Sequence, residues 1–198
     1  MRMKQSKKIF TKMLLNNWGG ISHKELVFHE YVNLFSGKSG SGKSTVMDAI
    51  QVILYGSVAA SFLNKAADDA KNRRSVLSYL RGEQKDGTAN RDGMDFCSQI
   101  VLEVEDRSTH IVTCIGVAFE VGKKDLELKR YSFFSHSGRL AEDGYIAEDG
   151  SPYTLARLKK LIERIKKKRV EYYSLLTLAP QVGLEPTTLR LTAACSTN

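Results

Sequence analysis

The stretch that decides the reading is Gly37-Lys38-Ser39-Gly40-Ser41-Gly42-Lys43-Ser44, followed by Thr45. It fits the pattern G-x-x-x-x-G-K-[ST], and the chemistry needs each element at its place. Glycines permit positive φ and close backbone approach, so successive N–H groups can turn inward as an anion nest. A helix opening at the loop adds its unpaired N–H groups and the positive end of its dipole. Lys43 is then placed to reach the β- and γ-phosphates of a nucleotide, and Ser44 offers a hydroxyl to Mg²⁺. The candidate phosphate-binding residues are Gly37, Lys38, Ser39, Gly40, Ser41, Gly42, Lys43, Ser44 and Thr45, with Ser44 the candidate metal ligand.

The flanks supply the context this pattern requires. Before the loop, Tyr31 to Phe35 (YVNLF) predicts a strand; after it, Ser44-Thr45 open a helix carrying Val46, Ala49, Ile50, Ile53 and Leu54, which Gly56 caps. Further out, Ile9 to Leu15 predicts a strand ending in the turn Asn16 to Gly20, and Lys24 to His29 a second strand. Residues from about Lys65 to Arg81 read as helix, and Gly82 to Asp95 as a polar loop. Gln99 to Glu105, His110 to Glu120 and Asp125 to Phe134 are rich in β-branched and aromatic residues and predict successive strands. Gly138 to Pro152 reads as a loop, and a helix follows from Tyr153 to about Tyr173.

That last helix holds most of the excess charge. The chain has 198 residues and a formal charge of +8; between Ala156 and Arg169 eight Lys and Arg stand against Glu163 alone. Leu155, Leu158, Ile162 and Ile165 recur at helical spacing, so a solvated helix face and a polyanion-binding surface explain the charge equally well. With 42% hydrophobic and 26% charged residues, a wholly disordered or fibrous chain is excluded. No apolar run approaches the ~20 residues that span a bilayer, so no membrane role is expected. Cys97, Cys114 and Cys195 are widely spaced with no C-x-x-C pair, which favours a reducing cytoplasm over a disulfide or zinc framework. After Tyr173 the chain loses periodicity; residues 174–198 are expected to be an unstructured or non-native tail.

A hydrolytic site also needs an acidic residue at the end of another apolar strand. The best candidate by pattern is Ile100 to Asp106, but Glu103 interrupts the apolar run. Val101, Glu103 and Glu105 alternate as on a half-exposed antiparallel strand, which favours a structural role. No residue of this chain is therefore assigned as catalytic, and no LSGG-like segment occurs in the sequence. Asp48, in the second turn after the loop, reads as a solvated or locally paired helix residue. Arg73, Arg74 and Arg81 are either surface residues or cations brought to phosphate. Trp18 beside Gly-Gly reads as core packing rather than a base contact, and His23, His29, His110 and His136 show no metal-ligand spacing.

Beyond these motifs, Asn33 to Ser57 with its Asp48-Ala49-Ile50 segment resembles the N-terminal half of an SMC/SbcC/MukB-type ATPase head. Phe62 to Ala67 (FLNKAA) and Arg74 to Gly82 (RSVLSYLRG) are similar to the MukB-like branch that contains MksF and JetC, and they alone draw attention to Asn64 and Lys65. The similarity covers about residues 8 to 170. It implies an α/β P-loop NTPase fold: an ABC/SMC-type head N-lobe at 1–152 with an antiparallel β subdomain, then at 153–173 a basic helix leading to a coiled coil. It further implies ATP with Mg²⁺ as cofactors, a cytoplasmic location, and DNA as partner of the complete complex. The acidic strand and signature motif would lie in a C-terminal lobe, with a second head (a homodimer) and accessory condensin-like subunits as further partners. The chain then reads as an N-terminal lobe whose hydrolysis requires completion. A small P-loop kinase or GTPase, and a non-catalytic fragment, are the alternatives.

Overall fold

A computed structural model of the chain describes residues 7–59, 63, 75–83 and 87–168. Its framework is one five-stranded sheet, antiparallel throughout, built from β1 (Lys8–Trp18), β2 (Ile21–Val27), β3 (Phe96–Asp106), β4 (Val112–Val121) and β5 (Arg130–Ser137) in the order β2-β1-β3-β4-β5. Helix α1 (Lys43–Tyr55) and the short α2 (Val76–Arg81) lie on one face, and α3 (Leu155–Lys168) on the other.

The period of two along the strands explains why both faces are covered. Met13 and Leu15 of β1, Ile100 and Leu102 of β3, and Val117 and Phe119 of β4 join Val46, Ala49, Ile50 and Ile53 of α1 in one buried cluster. The intervening residues Leu14, Val101, Cys114 and Ala118 meet Leu140, Tyr145, Leu158 and Ile162 in a second. Helix α1 ends where expected: Gly56 is left-handed (φ 59°, ψ 30°) and its N–H donates to the Ile53 carbonyl at 3.2 Å. In α3 the apolar stripe of Leu158 and Ile162 is buried, while Arg157, Lys159, Lys160 and Arg164 are exposed.

Three sequence-based expectations are corrected here. Tyr31 to Phe35 forms no strand. Tyr31, Val32 and Leu34 are about three-quarters exposed (75%, 76% and 75%), and no described strand pairs with them. High β-propensity fits a pleated surface but supplies no hydrogen-bonding neighbour. The strand expected from Asp125 begins instead at Arg130, because Asp125 closes a tight turn: its carboxylate accepts the Gly122 N–H at 2.7 Å, and its own N–H donates to the Gly122 carbonyl at 3.0 Å. The first turn is shorter than expected, since β1 runs through Trp18 and only Gly19-Gly20 reverse the chain. Residues 65–74 of the expected second helix, everything after Lys168, and with them Arg73, Arg74, Asn64, Lys65 and the 174–198 tail, lie outside the described residues.

The face under α3 contains polar groups that the strand alternation does not foretell. Glu103 is 1% exposed, not half-exposed. Its carboxylate accepts the Thr11 hydroxyl at 2.6 Å, an Arg139 guanidinium N–H at 3.3 Å, and the buried Leu140 N–H. Glu105 is also buried and pairs with Arg107 at 3.2 Å. Nearby, His136 Nδ1 donates to the Ser137 carbonyl at 3.1 Å, because a carbonyl can only accept, so Nε2 receives the Tyr145 hydroxyl hydrogen. The Cys114 thiol donates to the Gly138 carbonyl at 3.3 Å, and burial pushes its pKa up to about 12, which makes it an inert core thiol.

Burial also holds His136 below the ordinary imidazole value, partly offset by its bond to Ser137. A depressed folded-state pKa means the unfolded chain takes up the proton first. This stabilisation is complete above the unfolded value, roughly pH 6.5, and is lost as pH falls toward the lower folded value. The urea midpoint is expected to fall between about pH 7 and pH 5, and less steeply in His136→Gln. Equal slopes in the two proteins would refute this assignment.

Candidate nucleotide-binding site

The loop sits where the chain leaves β2 and enters α1. Gly42 is the helix N-cap in the left-handed region (φ 87°, ψ 8°), a conformation in which any side chain would be strained. It turns the chain so that the Gly42 carbonyl receives the Val46 N–H at 3.1 Å, opening α1 directly at Lys43. A turn closed by the Ser41 N–H on the Lys38 carbonyl (3.2 Å) folds the preceding residues back over the helix mouth. Lys43 completes the arrangement. Its Nζ donates to the Gly37 carbonyl at 2.7 Å, the Lys38 carbonyl at 2.8 Å and Ser41 Oγ at 3.3 Å. The ammonium group is thus held across the loop, beside the amides that would face an anion.

Electrostatics favour the same ligand. The first turn of α1 carries no acidic side chain, so no carboxylate of that turn opposes the positive end of a 13-residue helix. Ser44 is exposed in that turn. Among the described residues no group of three or more His, Cys, Asp or Glu side chains could hold a metal by itself. A polyphosphate with its Mg²⁺ fits this donor set, since Mg²⁺ keeps several waters and takes few protein ligands beside phosphate oxygens. Ser44 would hold the ion, which would neutralise charge on the phosphates.

A comparison with known families spans this loop. Residues 10–70 match the family described as the P-loop containing region of AAA domain. The fold is that of a P-loop NTPase carrying an antiparallel sheet. Within the chain, 74 residues are 34% identical to the SbcC component of the nuclease SbcCD of Staphylococcus haemolyticus (strain JCSC1435), an alignment covering 35% of this chain and 6% of that protein. The chain therefore spans only a small part of the length of that relative. A solved structure described as "Structural biochemistry of ATP-driven dimerization and DNA stimulated activation of SMC ATPases" superposes with a TM-score of 0.40 at 15% identity, covering 92% of this chain and 95% of that one.

The P-loop is supported from behind by residues whose roles the sequence does not disclose. Asp48 is 3% exposed rather than solvated, and its Oδ2 accepts the Tyr79 hydroxyl of α2 at 3.1 Å. Arg91, in the polar 82–95 loop, is buried; Nε donates to the Leu80 carbonyl at 3.0 Å and Nη2 to the Gly19 carbonyl. Desolvation lowers its pKa from the usual guanidinium value, yet two carbonyls and the Phe96 ring, 5.4 Å away, retain the cation. Only its position in a Gly-rich loop marks it, which is no signal at all. Arg81, one of the residues left open between surface and phosphate contact, donates to the Asp125 carbonyl at 2.7 Å and ties α2 to the β4–β5 connection. Trp18 is core, as expected: it is fully buried, 4.8 Å from the Tyr79 ring and 6.1 Å from Phe119.

Proposed function

We propose that the chain is the ATP-binding N-terminal lobe of an SMC/SbcC-type ATPase, of the MukB-like branch, that acts on DNA in the cytoplasm. The observation that carries this reading is the Lys43 ammonium held over a glycine loop at the open end of α1. The loop amides would bind the phosphates and Lys43 would offset their charge. Ser44 would orient the metal-bearing side, so the lobe contributes positioning and electrostatic stabilisation. The acid that activates water belongs to a complementary C-terminal lobe. The exposed Tyr31, Val32 and Leu34, in the segment leading into the loop, suit the addition of a strand from that lobe, which would give these apolar side chains cover and the backbone a partner. A second head and accessory condensin-like subunits complete the proposed assembly. The exposed cations of α3 would face the DNA phosphates at the start of the coiled coil.

Steady-state phosphate release tests this reading, measured for the chain alone, for a separately expressed C-terminal lobe, and for the mixture with and without duplex DNA. Turnover is expected only in the mixture, rising with DNA. Turnover by the isolated chain at the rate of the mixture would refute the two-lobe reading.

A further inference from the structure

One contact behind the P-loop ties the nucleotide site to the sheet. The indole Nε1–H of Trp18 donates to the Thr45 carbonyl at 2.9 Å, and Thr45 directly follows Ser44 in the first turn of α1. Trp18 is the last residue of β1, so this hydrogen bond joins the end of a central strand to the residue beside the candidate metal ligand. The neighbouring Gly19 is wedged in the same place: a Cβ there would lie 3.0 Å from Thr45 Cγ2 and 3.0 Å from Tyr79 Cε1. A side chain there would be strained by the left-handed backbone (φ 55°) and would press on both neighbours. Tyr79 lies against the Trp18 ring and donates to Asp48 one turn further along α1. The start of α1 is thus gripped from β1 and from α2 at once.

We propose that Trp18 is a positioning residue for nucleotide binding, its indole N–H fixing the first turn of α1 and so the aim of the loop amides and the Ser44 hydroxyl. The inference rests on the nucleotide-binding reading above and adds a residue to it. A helix start free to shift or fray would have to be ordered when the anion arrives, and that ordering would be subtracted from affinity. The contact fixes it beforehand.

Calorimetry and amide hydrogen exchange, with and without Mg-ATP, test the proposal on the full chain and on Trp18→Phe. Phenylalanine keeps a ring against Tyr79 and Phe119 but has no donor for Thr45. The dissociation constant is expected to rise roughly fivefold to tenfold in Trp18→Phe, as for loss of one hydrogen bond. In the unmodified chain the Val46 N–H, which closes the first turn on the Gly42 carbonyl, is expected to be as protected from exchange before Mg-ATP as after it, relative to the sheet amides; in Trp18→Phe it should exchange faster until Mg-ATP is added, a local response that general destabilisation would not give. No binding by the unmodified chain would overturn the nucleotide reading and this proposal with it. Binding by the unmodified chain that slows Val46 exchange more than that of the sheet amides would overturn the proposal alone, even if Trp18→Phe fails to fold. Equal affinity in a folded Trp18→Phe would do the same.

Discussion

Replacing Lys43 with alanine is expected to weaken Mg-ATP binding by about 100-fold while leaving the melting temperature nearly unchanged. The affinity loss follows from charge. A hydrogen bond to a charged group contributes ~1.5–3 kcal/mol, and an ammonium group reaching both β- and γ-phosphates makes two. About 3 kcal/mol corresponds to roughly two decades in the dissociation constant. The stability argument uses the same contacts in the opposite sense. The Gly37 and Lys38 carbonyls that Lys43 now occupies lie in exposed hydrogen bonds, so water replaces the ammonium when it is removed. Arginine is not expected to rescue binding, because a planar fork cannot replace a compact ammonium seated between two carbonyls 2.7 and 2.8 Å away. Calorimetry and thermal melts check both parts. Unchanged affinity in Lys43→Ala would place the phosphates elsewhere.

The second large effect lies on the opposite face of the sheet. Glu103→Ala is expected to destabilise the protein by ~3 kcal/mol, because a buried donor left without an acceptor costs ~1–3 kcal/mol, the change orphans the Leu140 N–H, and the part-buried Thr11 hydroxyl keeps only the Glu103 backbone carbonyl at 3.4 Å. The Arg139 contact adds little, since that side chain is 68% exposed and screened by water. For a chain of this size the melting temperature should drop by roughly 6–12 °C. The loss should be regional. Leu140 and Tyr145 pack with Leu158 and Ile162, so hydrogen exchange is expected to quicken first in α3. A drop of less than about 2 °C, or exchange that quickens equally in α1, would contradict the assignment of Glu103 as the tie between β3 and the covering segment.

These two residues also mark where the sequence is legible and where it is not. The loop, the start of α1 and its Gly56 cap depend on residues within a few positions of one another, and spacing alone locates them. The strands β3 and β4 and the apolar stripe of α3 are equally clear, because period-two and helical alternation are local properties. Glu103 escapes such a reading because alternation reports only that two faces differ; it cannot report that Leu140, Tyr145 and Leu158 lie over the second face. Asp48 escapes it for the same reason, its partner Tyr79 being 31 residues away. The Tyr31 to Phe35 segment fails in the reverse direction: its residues suit a strand, but no described strand lies beside it to pair with. Arg91 and His136 carry no pattern, and only the folded chain brings them to their carbonyl and hydroxyl partners.

The central claim is that the backbone amides from Ser39 to Ser44 enclose a polyphosphate at the mouth of α1. Amide chemical shifts of the isotopically labelled chain, recorded while Mg-ATP is added, test it most directly. The account predicts that the largest saturable shifts occur at Gly40, Gly42, Lys43 and Ser44, with α3 undisturbed. Shifts confined to the basic helix, or no shift in the loop at saturating nucleotide, would contradict it.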